Sequence, residues 1–277
     1  KAAQTEKDMI VFCGVKFMAE TAKILNPTRT VLIPSLKAGC SLAASITAAD
    51  VRALKARFPG VPVVTYVNTY ADVKAESDIC CTSGNAAAVV ASLGVDTVIF
   101  LPDEYLARNV ARDTGKHIIV PTRLPTGNIT FQDSEVDFQM VGWNGRCEVH
   151  EQFTVDDINR VRAQFPDVVI LAHPECSPEV VAASDFSGST NTMIRYVERT
   201  KAPRYLLLTE CSMGENVAAA NPDKEMLRLC MVRCPHMNQI SLHMTRDALR
   251  DVQYVVDVPE EIRVRAAQAV QRMIAIG

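Results

Sequence analysis

A long repeat organises this chain: the stretch from Cys40 to Asp103 returns, residue type by residue type, from Cys147 to about Glu210. A third cysteine, Cys234, stands where a third unit would begin. The matching positions at one offset of 107 are Cys40 and Cys147, Thr47 and Thr154, and Pro59 and Pro166. Those at an offset of 106 are Ser83 and Ser189, and Asn85 and Asn191. Because repeated units place equivalent residues at equivalent corners, we expect the three cysteines to occupy related positions in related lobes.

Short apolar runs alternate with helical patterns inside each copy of the repeat. The first copy contains VPVVTYV, DICCTS, AAAVVASL, TVIFLPD and EYLARNVARDTG, and the second contains VVILAH, PEVVAAS, TMIRYVERT and RYLLLTE. Strands that helices cover on both faces become continuously apolar, and this βαβα rhythm is typical of parallel sheets. The pattern predicts an α/β fold in which each unit is a four-stranded parallel layer of about 85 residues.

The repeat also predicts the domain organisation, with three αβα domains arranged around a pseudo-threefold axis. Residues 1–38 and 238–277 would form the first domain, residues 39–121 the second and residues 146–237 the third. Residues 122–145 are rich in turn formers and predict an inserted loop. The first domain offers only two strand-like runs, MIVFCG and TVLIPS, so we expect it to be N-terminally incomplete.

Composition narrows the class of protein. The chain has 277 residues, which is longer than one ordinary domain, and 48% of them are apolar. The net charge is −3 and like charges are not clustered, so the sequence shows no basic patch that would bind nucleic acid or an anionic membrane surface. Neither partner is expected. No apolar stretch approaches the roughly 20 residues that span a bilayer. Nine cysteines lie in or beside apolar, strand-like segments, which favours thiols in a reducing, intracellular compartment.

Two polar corners mark expected helix starts, TSGN at residues 82–85 and GSTN at residues 188–191. Helix N-termini at the carboxyl edge of a parallel sheet present unpaired N–H groups that bind anions. The plain alternative is that Ser83 and Ser189 cap their helices. Polar residues at the preceding strand ends favour an anion site at each corner; they are Tyr66 and Asn68 in the first copy, and His173 and Glu175 in the second.

The three repeated cysteines predict a metal centre. Three thiolates that meet at a pseudo-threefold axis can hold a 4Fe-4S cluster with one iron left open, and an open iron is a Lewis acid. Zinc is the competing metal, because soft thiolates also suit it. The residues that favour zinc lie within a short stretch and are Cys230, Cys234, His236 and His243. Their C-x3-C-x-H spacing does not match a usual zinc-finger pair.

With these residues assembled, the chain resembles the quinolinate synthase family of NAD and pyridine nucleotide biosynthesis over essentially its full length. The segments that carry the resemblance are VFCGVKFMAETAKIL, LIPSLKAGCSLA, YVNT, TSGNA, GRCEVHEQF, AHPEC, GSTNTMI, LLLTE and CPHMN. The resemblance implies three pseudo-symmetric αβα domains around a central 4Fe-4S cluster. It makes Cys40, Cys147 and Cys234 the cluster ligands, and it implies no such role for Cys176.

The resemblance also implies site roles. Glu175 would be the general base and acid, with Tyr66 and His173 as further catalytic groups. Substrate carboxylates and phosphate would be bound by Asn68, Ser83, His150, Ser189, Thr190 and Thr209. Each has a plain alternative: His150 as a surface residue, Glu175 as a helix cap, Tyr66 as an ordinary strand aromatic.

The implied reaction is the condensation of iminoaspartate with dihydroxyacetone phosphate to quinolinate, a transferase activity with lyase-type steps. The implied functional partner is an L-aspartate oxidase or an aspartate dehydrogenase, and the implied location is the cytoplasm, or the plastid in a plant. Two other classes stay open. One is a non-catalytic iron-sulfur or anion-binding derivative of the same scaffold, and the other is a zinc-dependent lyase or aldolase.

Overall fold

A computed structural model describes residues 4–123, 129–130, 137–227 and 232–277. The chain divides into two compact units. Unit 1 comprises Lys1–Cys81, Ala88–Pro102 and Pro235–Gly277, and unit 2 comprises Thr82–Ala87 and Asp103–Cys234. Each unit is therefore assembled from segments that are distant in sequence.

Helices and strands alternate through the described residues, as the sequence predicts. The strands are β1 Met9–Val11, β2 Thr30–Leu32, β3 Val63–Tyr66, β4 Ile79–Cys81, β5 Val98–Leu101, β6 Ile118–Ile119, β7 Thr122–Arg123, β8 Ile129–Thr130, β9 Met140–Val141, β10 Val168–Ala172, β11 Phe186–Ser187, β12 Arg204–Leu208 and β13 Glu225–Leu227. The helices are α1 Lys16–Leu25, α2 Ser41–Ala44, α3 Ala48–Arg57, α4 Ala71–Ala75, α5 Ala86–Ser92, α6 Glu104–Thr114, α7 Val155–Gln164, α8 Pro178–Ala183, α9 Thr190–Arg199, α10 Cys211–Ala220, α11 Leu242–Asp251 and α12 Glu260–Ile276.

Unit 2 contains a four-stranded parallel sheet in the order β11-β10-β12-β13. Its central strands are apolar because both faces are covered. Ile170 and Leu206 pack in one buried cluster, whereas Leu171 and Tyr205 pack in another. The predicted α/β class with four-stranded parallel layers is confirmed here.

Unit 1 contains a parallel arrangement in which β3 lies between β4 and β5. The two strand-like runs near the start of the chain also form the expected pair, because β1 and β2 are parallel neighbours. The amphipathic helix α12 packs against α4 and β4, and it buries Ala266 and Ala267 beside Ile24 and Ala75. This packing gives the apolar face of the final helix a surface to cover.

The segment predicted as an inserted loop contains regular structure. Strands β7 and β8 form a short antiparallel pair, and β9 pairs with β6 in parallel. Met140, Val141 and Trp143 are buried. The apolar run at the end of this segment is therefore buried and not a surface loop.

The repeat extends to individual hydrogen bonds. Thr47 opens α3 with a capping box closed by Asp50, and Thr154 opens α7 in the same way with Asp157. A second pair of equivalent hydrogen bonds lies beside the strands, and its residues are also 107 positions apart in the two copies. In one copy Val63 donates its backbone N–H to Asp78 at 2.8 Å, and in the other Ile170 donates to Asp185 at 2.8 Å.

Removing either cap should destabilise the protein by a similar amount. We expect Thr47→Ala and Thr154→Ala each to lower the free energy of unfolding by about 1 kcal/mol, because each leaves an N-terminal N–H of its helix without an acceptor. Urea denaturation measures the loss, and Thr28→Ala, at an exposed turn, is the control. A loss in only one of the two capped positions would contradict their equivalence.

In the described part of the chain, no helix has both the length and the apolar character needed to cross a membrane.

Candidate active site and metal ligands

The polar residues that follow strands β10 and β12 lie at one edge of the sheet in unit 2. His173 follows the last residue of β10, and Thr209 follows the last residue of β12. Because β10 and β12 are parallel neighbours in register, their carboxyl ends bring these two residues together. The loop after β10 also carries Glu175, which is 2% exposed.

A buried hydrogen-bonded chain connects three of the predicted site residues. His150 lies in a short 3-10 turn, and its Nδ1 is 2.9 Å from Oε2 of Glu175. Its Nε2 is 3.0 Å from the hydroxyl of Thr209. His150 is itself buried, so the prediction's alternative of a surface histidine is wrong. The imidazole thus links a carboxyl group to a hydroxyl group away from bulk water.

His173 completes this cluster from the other side. Its ring stacks on that of His150, with 4.6 Å between centroids. Its Nδ1 accepts the backbone N–H of Glu175 at 3.3 Å, and its Nε2 is 3.2 Å from the hydroxyl of Ser83. Since a backbone N–H can only donate, the neutral ring carries its proton on Nε2 and donates it to Ser83.

The two serine corners lie close together within unit 2. A Cβ atom added to Gly84 would lie 3.1 Å from Oγ of Ser189, which shows how closely the two corners approach. Ser189 caps α9 by accepting the N–H of Thr192, as the plain alternative expects, whereas Ser83 points to His173. Thr190 begins α9 and is exposed. The arrangement offers hydroxyl groups beside a helix N-terminus, which suits an anion.

Burial governs the ionisation of the groups around Glu175. Burial and the neighbouring His150 lower the pKa of His173 to about 4, although Glu175 acts in the opposite direction. Burial also raises the pKa of Cys147, with Glu175 adding to the effect. His173 is therefore neutral at physiological pH.

The low pKa of His173 predicts a pH-dependent stability. The unfolded chain takes up a proton on this residue near 6.5 and the folded protein only near 4, so this group costs stability as the pH falls through that window. We expect the free energy of unfolding of the wild type to fall more steeply between pH 7 and pH 4 than that of His173→Asn. Chemical denaturation at several pH values measures both slopes, and parallel slopes would contradict the assignment.

Three of the cysteines differ from the others in their surroundings. Cys40, Cys147 and Cys234 are half-buried thiols, and Cys40 caps α2. The cysteines buried among apolar residues are Cys80, Cys81, Cys176 and Cys211. The donor set of the three repeated cysteines, soft and partly accessible, fits an iron-sulfur cluster.

A second possible metal-binding group lies inside the hydrogen-bonded cluster. The ligand atoms of Cys147, His150 and Glu175 are all within 4.8 Å of one another. Cys230, one of the residues of the zinc alternative, lies outside the described residues. Across the described ranges, Cys234, His236 and His243 do not form such a group.

The remaining predicted site residues belong to unit 1. Tyr66 ends β3 and is 5% exposed, and Asn68 follows it in a loop. The backbone carbonyl of Tyr66 accepts a hydrogen bond from the hydroxyl of Thr69 at 3.0 Å. Cys40 lies in the same unit. Each of these residues stands in its own unit at the position equivalent to a site residue of unit 2.

Sequence reasoning missed Asp103. This residue follows β5, is fully buried, and caps α6 by accepting the N–H of Leu106 at 2.7 Å. Burial and the charge of Glu175 raise its pKa. Its Oδ2 has no hydrogen-bond partner among the described residues. The missed signal was its position, since LPD lies at the end of β5, the parallel neighbour of β3, whose last residue is Tyr66.

Comparison with known proteins gives a consistent result. The family described as quinolinate synthetase A protein matches residues 1–275. A relative named quinolinate synthase 2, from Mesorhizobium japonicum, is 56% identical over 276 residues, which cover 100% of this chain and 78% of the relative. Quinolinate synthases of Agrobacterium fabrum and Xylella fastidiosa are 53% and 51% identical, over 100% of this chain and 73% and 75% of the relatives.

Proposed function

Because this chain belongs to the quinolinate synthetase A family, we propose that it builds the pyridine ring of quinolinate from iminoaspartate and dihydroxyacetone phosphate. The chain is an enzyme of quinolinate synthesis in NAD biosynthesis, and no observation favours the non-catalytic alternative. The condensation releases phosphate and two molecules of water, and it balances without an oxidant. It requires one new carbon–carbon bond, one new carbon–nitrogen bond and several proton transfers.

The observation that carries the proposal is the chain of hydrogen bonds from Glu175 through His150 to Thr209. A buried carboxyl group that is held by an imidazole can take up and release protons at a bound substrate. When Glu175 is ionised, Nδ1–H of His150 donates to it, and Nε2 accepts from Thr209. We assign proton removal and return to Glu175, and its orientation to His150.

The groups around Glu175 are suited to binding the substrates. Neutral His173 and Ser83 offer hydrogen bonds to a substrate carboxylate or phosphate without themselves changing charge. Ser189 and Thr190, at the start of α9, add hydroxyl and N–H donors for a second anionic group. From unit 1, Tyr66 is assigned a catalytic role and Asn68 a binding role.

The metal-binding centre is assigned to the three repeated cysteines. Cys40, Cys147 and Cys234 would hold a 4Fe-4S cluster, which supplies a Lewis acid at its open iron when bound. The donor set fits this group, because all three are partly accessible thiols at equivalent positions of the repeat. The residues of the chain then have to bind the substrates, exclude water and move protons.

The chemistry of the first substrate points to a partner reaction. Iminoaspartate hydrolyses in water, so an enzyme that oxidises or dehydrogenates aspartate must supply it nearby, such as an L-aspartate oxidase or an aspartate dehydrogenase. We place the protein in the cytoplasm, where thiol ligands stay reduced.

The direct test is product formation by the anaerobically reconstituted protein. Oxaloacetate and ammonium supply iminoaspartate in solution, and dihydroxyacetone phosphate is added. We expect quinolinate and phosphate to accumulate in equal amounts, measured by chromatography and a phosphate assay. Iron-loaded protein that forms neither would overturn the proposed reaction.

A further inference from the structure

The loop that carries Glu175 is fixed by one side chain from a distant helix. Asn109 lies on α6, is 2% exposed, and donates both hydrogens of its amide to the backbone of this loop. Nδ2 is 2.9 Å from the carbonyl oxygen of Pro174 and 3.1 Å from that of Cys176. These two carbonyls flank Glu175 on either side.

The equivalent loop of the other repeat is fixed in the same way by a different residue. Lys74 lies on α4, is fully buried, and donates to the carbonyl of Val67 at 2.9 Å and to that of Thr69. These two carbonyls flank Asn68, and Val67 and Thr69 correspond to Pro174 and Cys176 at the repeat offset of 107.

The two donors are not themselves equivalent in the repeat. Lys74 follows its loop by a few residues, whereas Asn109 precedes its loop by more than sixty positions. Two side chains at non-equivalent positions therefore bind the same pair of loop carbonyls in the two copies of the repeat. Duplication of an ancestral unit does not explain this, because it would have placed the donors at equivalent positions. A shared requirement to hold the residue between the two carbonyls does explain it.

We infer that Asn109 and Lys74 are positioning residues, each holding one site loop so that the residue between its two bound carbonyls keeps its orientation. For Asn109 that residue is Glu175, and for Lys74 it is Asn68. The inference rests on the proposed roles of Glu175 and Asn68. Losing either donor removes a hydrogen bond from two carbonyls, one of them at a buried position, so the loop shifts to find new partners. A displacement of about 1 Å at a catalytic group costs about 100-fold in rate.

Asn109→Leu tests the positioning role of Asn109, since leucine has a similar size and no hydrogen-bond donor in its side chain. We expect kcat to fall about 10- to 100-fold with KM nearly unchanged, because Glu175 acts on the transition state. Hydrogen exchange of the loop amides in the metal-free protein should speed up, in particular at the N–H of Cys176, which bonds to His173. Asn109→Gln keeps the amide and should recover part of the rate.

Asn221→Leu is the matched control. Asn221 is a buried asparagine of unit 2 that follows the last residue of α10, and its Nδ2 donates to the carbonyl of Val217 in that helix at 2.9 Å. It should lose similar stability without changing kcat or exchange in the 173–176 loop. If Asn109→Leu does not fold, Asn109→Ala, which leaves room for a water molecule, should show the same changes at smaller size.

Lys74→Met tests the positioning role of Lys74. Because Asn68 is proposed to bind substrate, we expect KM to rise about 10-fold with a smaller change in kcat. Lys23→Met is its control, since Lys23 also donates to two carbonyls, those of Pro27 and Arg29, in a turn without site residues. If Lys74→Met does not fold, Asn68→Ala should still raise KM.

The outcomes separate this inference from the proposed function. Unchanged kcat and unchanged exchange in Asn109→Leu would overturn the positioning role, and so would equal effects in Asn221→Leu. A wild-type rate in Glu175→Gln would instead refute the role of Glu175, whatever the exchange data show. If KM is unchanged in Lys74→Met but raised in Asn68→Ala, the positioning role of Lys74 is refuted and the binding role of Asn68 stands.

Discussion

Glu175→Gln should remove almost all quinolinate formation and leave the fold and the metal content intact. General acid–base catalysis by a side chain contributes about 100- to 10,000-fold, so a fall in kcat of that size is expected. Glutamine has the same length, and its Oε1 can still accept Nδ1–H of His150, so the cluster keeps its geometry. Steady-state assays and iron analysis on the same preparation measure the two quantities.

Glu179→Gln is the control for this change. Glu179 lies on the neighbouring helix α8 and is exposed, so the same substitution there should leave the rate unchanged. Loss of iron from Glu175→Gln, together with loss of product, would show that the residue holds the metal centre. Retained activity would exclude it as the proton-transfer group.

Replacing any one of the three repeated cysteines should abolish both iron binding and product formation. Cys40→Ala, Cys147→Ala and Cys234→Ala each remove one of three thiolates, and a cluster with three protein ligands has none to spare. Cys81→Ala is the control, because Cys81 is fully buried at the end of β4. Iron and sulfide analysis after anaerobic reconstitution, followed by the quinolinate assay, measures both effects.

The same series distinguishes the cluster from a mononuclear metal bound by Cys147, His150 and Glu175, whose ligand atoms lie within 4.8 Å of one another. For the cluster, Cys40→Ala and Cys234→Ala lose iron, and His150→Gln retains it. For a mononuclear site the pattern is reversed. Iron content that survives Cys40→Ala and Cys234→Ala would therefore refute the proposed ligand set.

The sequence predicted the architecture well because its signals are local and repeated. Apolar runs identified the strands of the four-stranded sheet, and the matched pair Thr47 and Thr154 proved to open two equivalent helices. A strand end indicated His173, since carboxyl ends of adjacent parallel strands share an edge, whereas Thr209 was implied by the family resemblance.

Other features depend on contacts that no local pattern reports. Asn109 looks like an ordinary polar position of an amphipathic helix, and its partners lie about 65 residues further along. In the sequence, Lys74 lies between Asp72 and Glu76 and looks like a solvent-exposed charge, whereas in the structure it is buried. Asp103 reads as a simple helix cap. Only the tertiary packing makes each of them a buried polar group with a defined role.

The interleaved make-up of the two compact units has a consequence for biosynthesis. Unit 1 requires Pro235–Gly277, so the apolar faces of α4 and β4 stay uncovered until α12 has left the ribosome. Unit 2 is almost contiguous, and the strands of its sheet all precede α12 in the sequence. We expect nascent chains arrested before α12 to resist proteases in the middle of the sequence while their early residues still recruit chaperones.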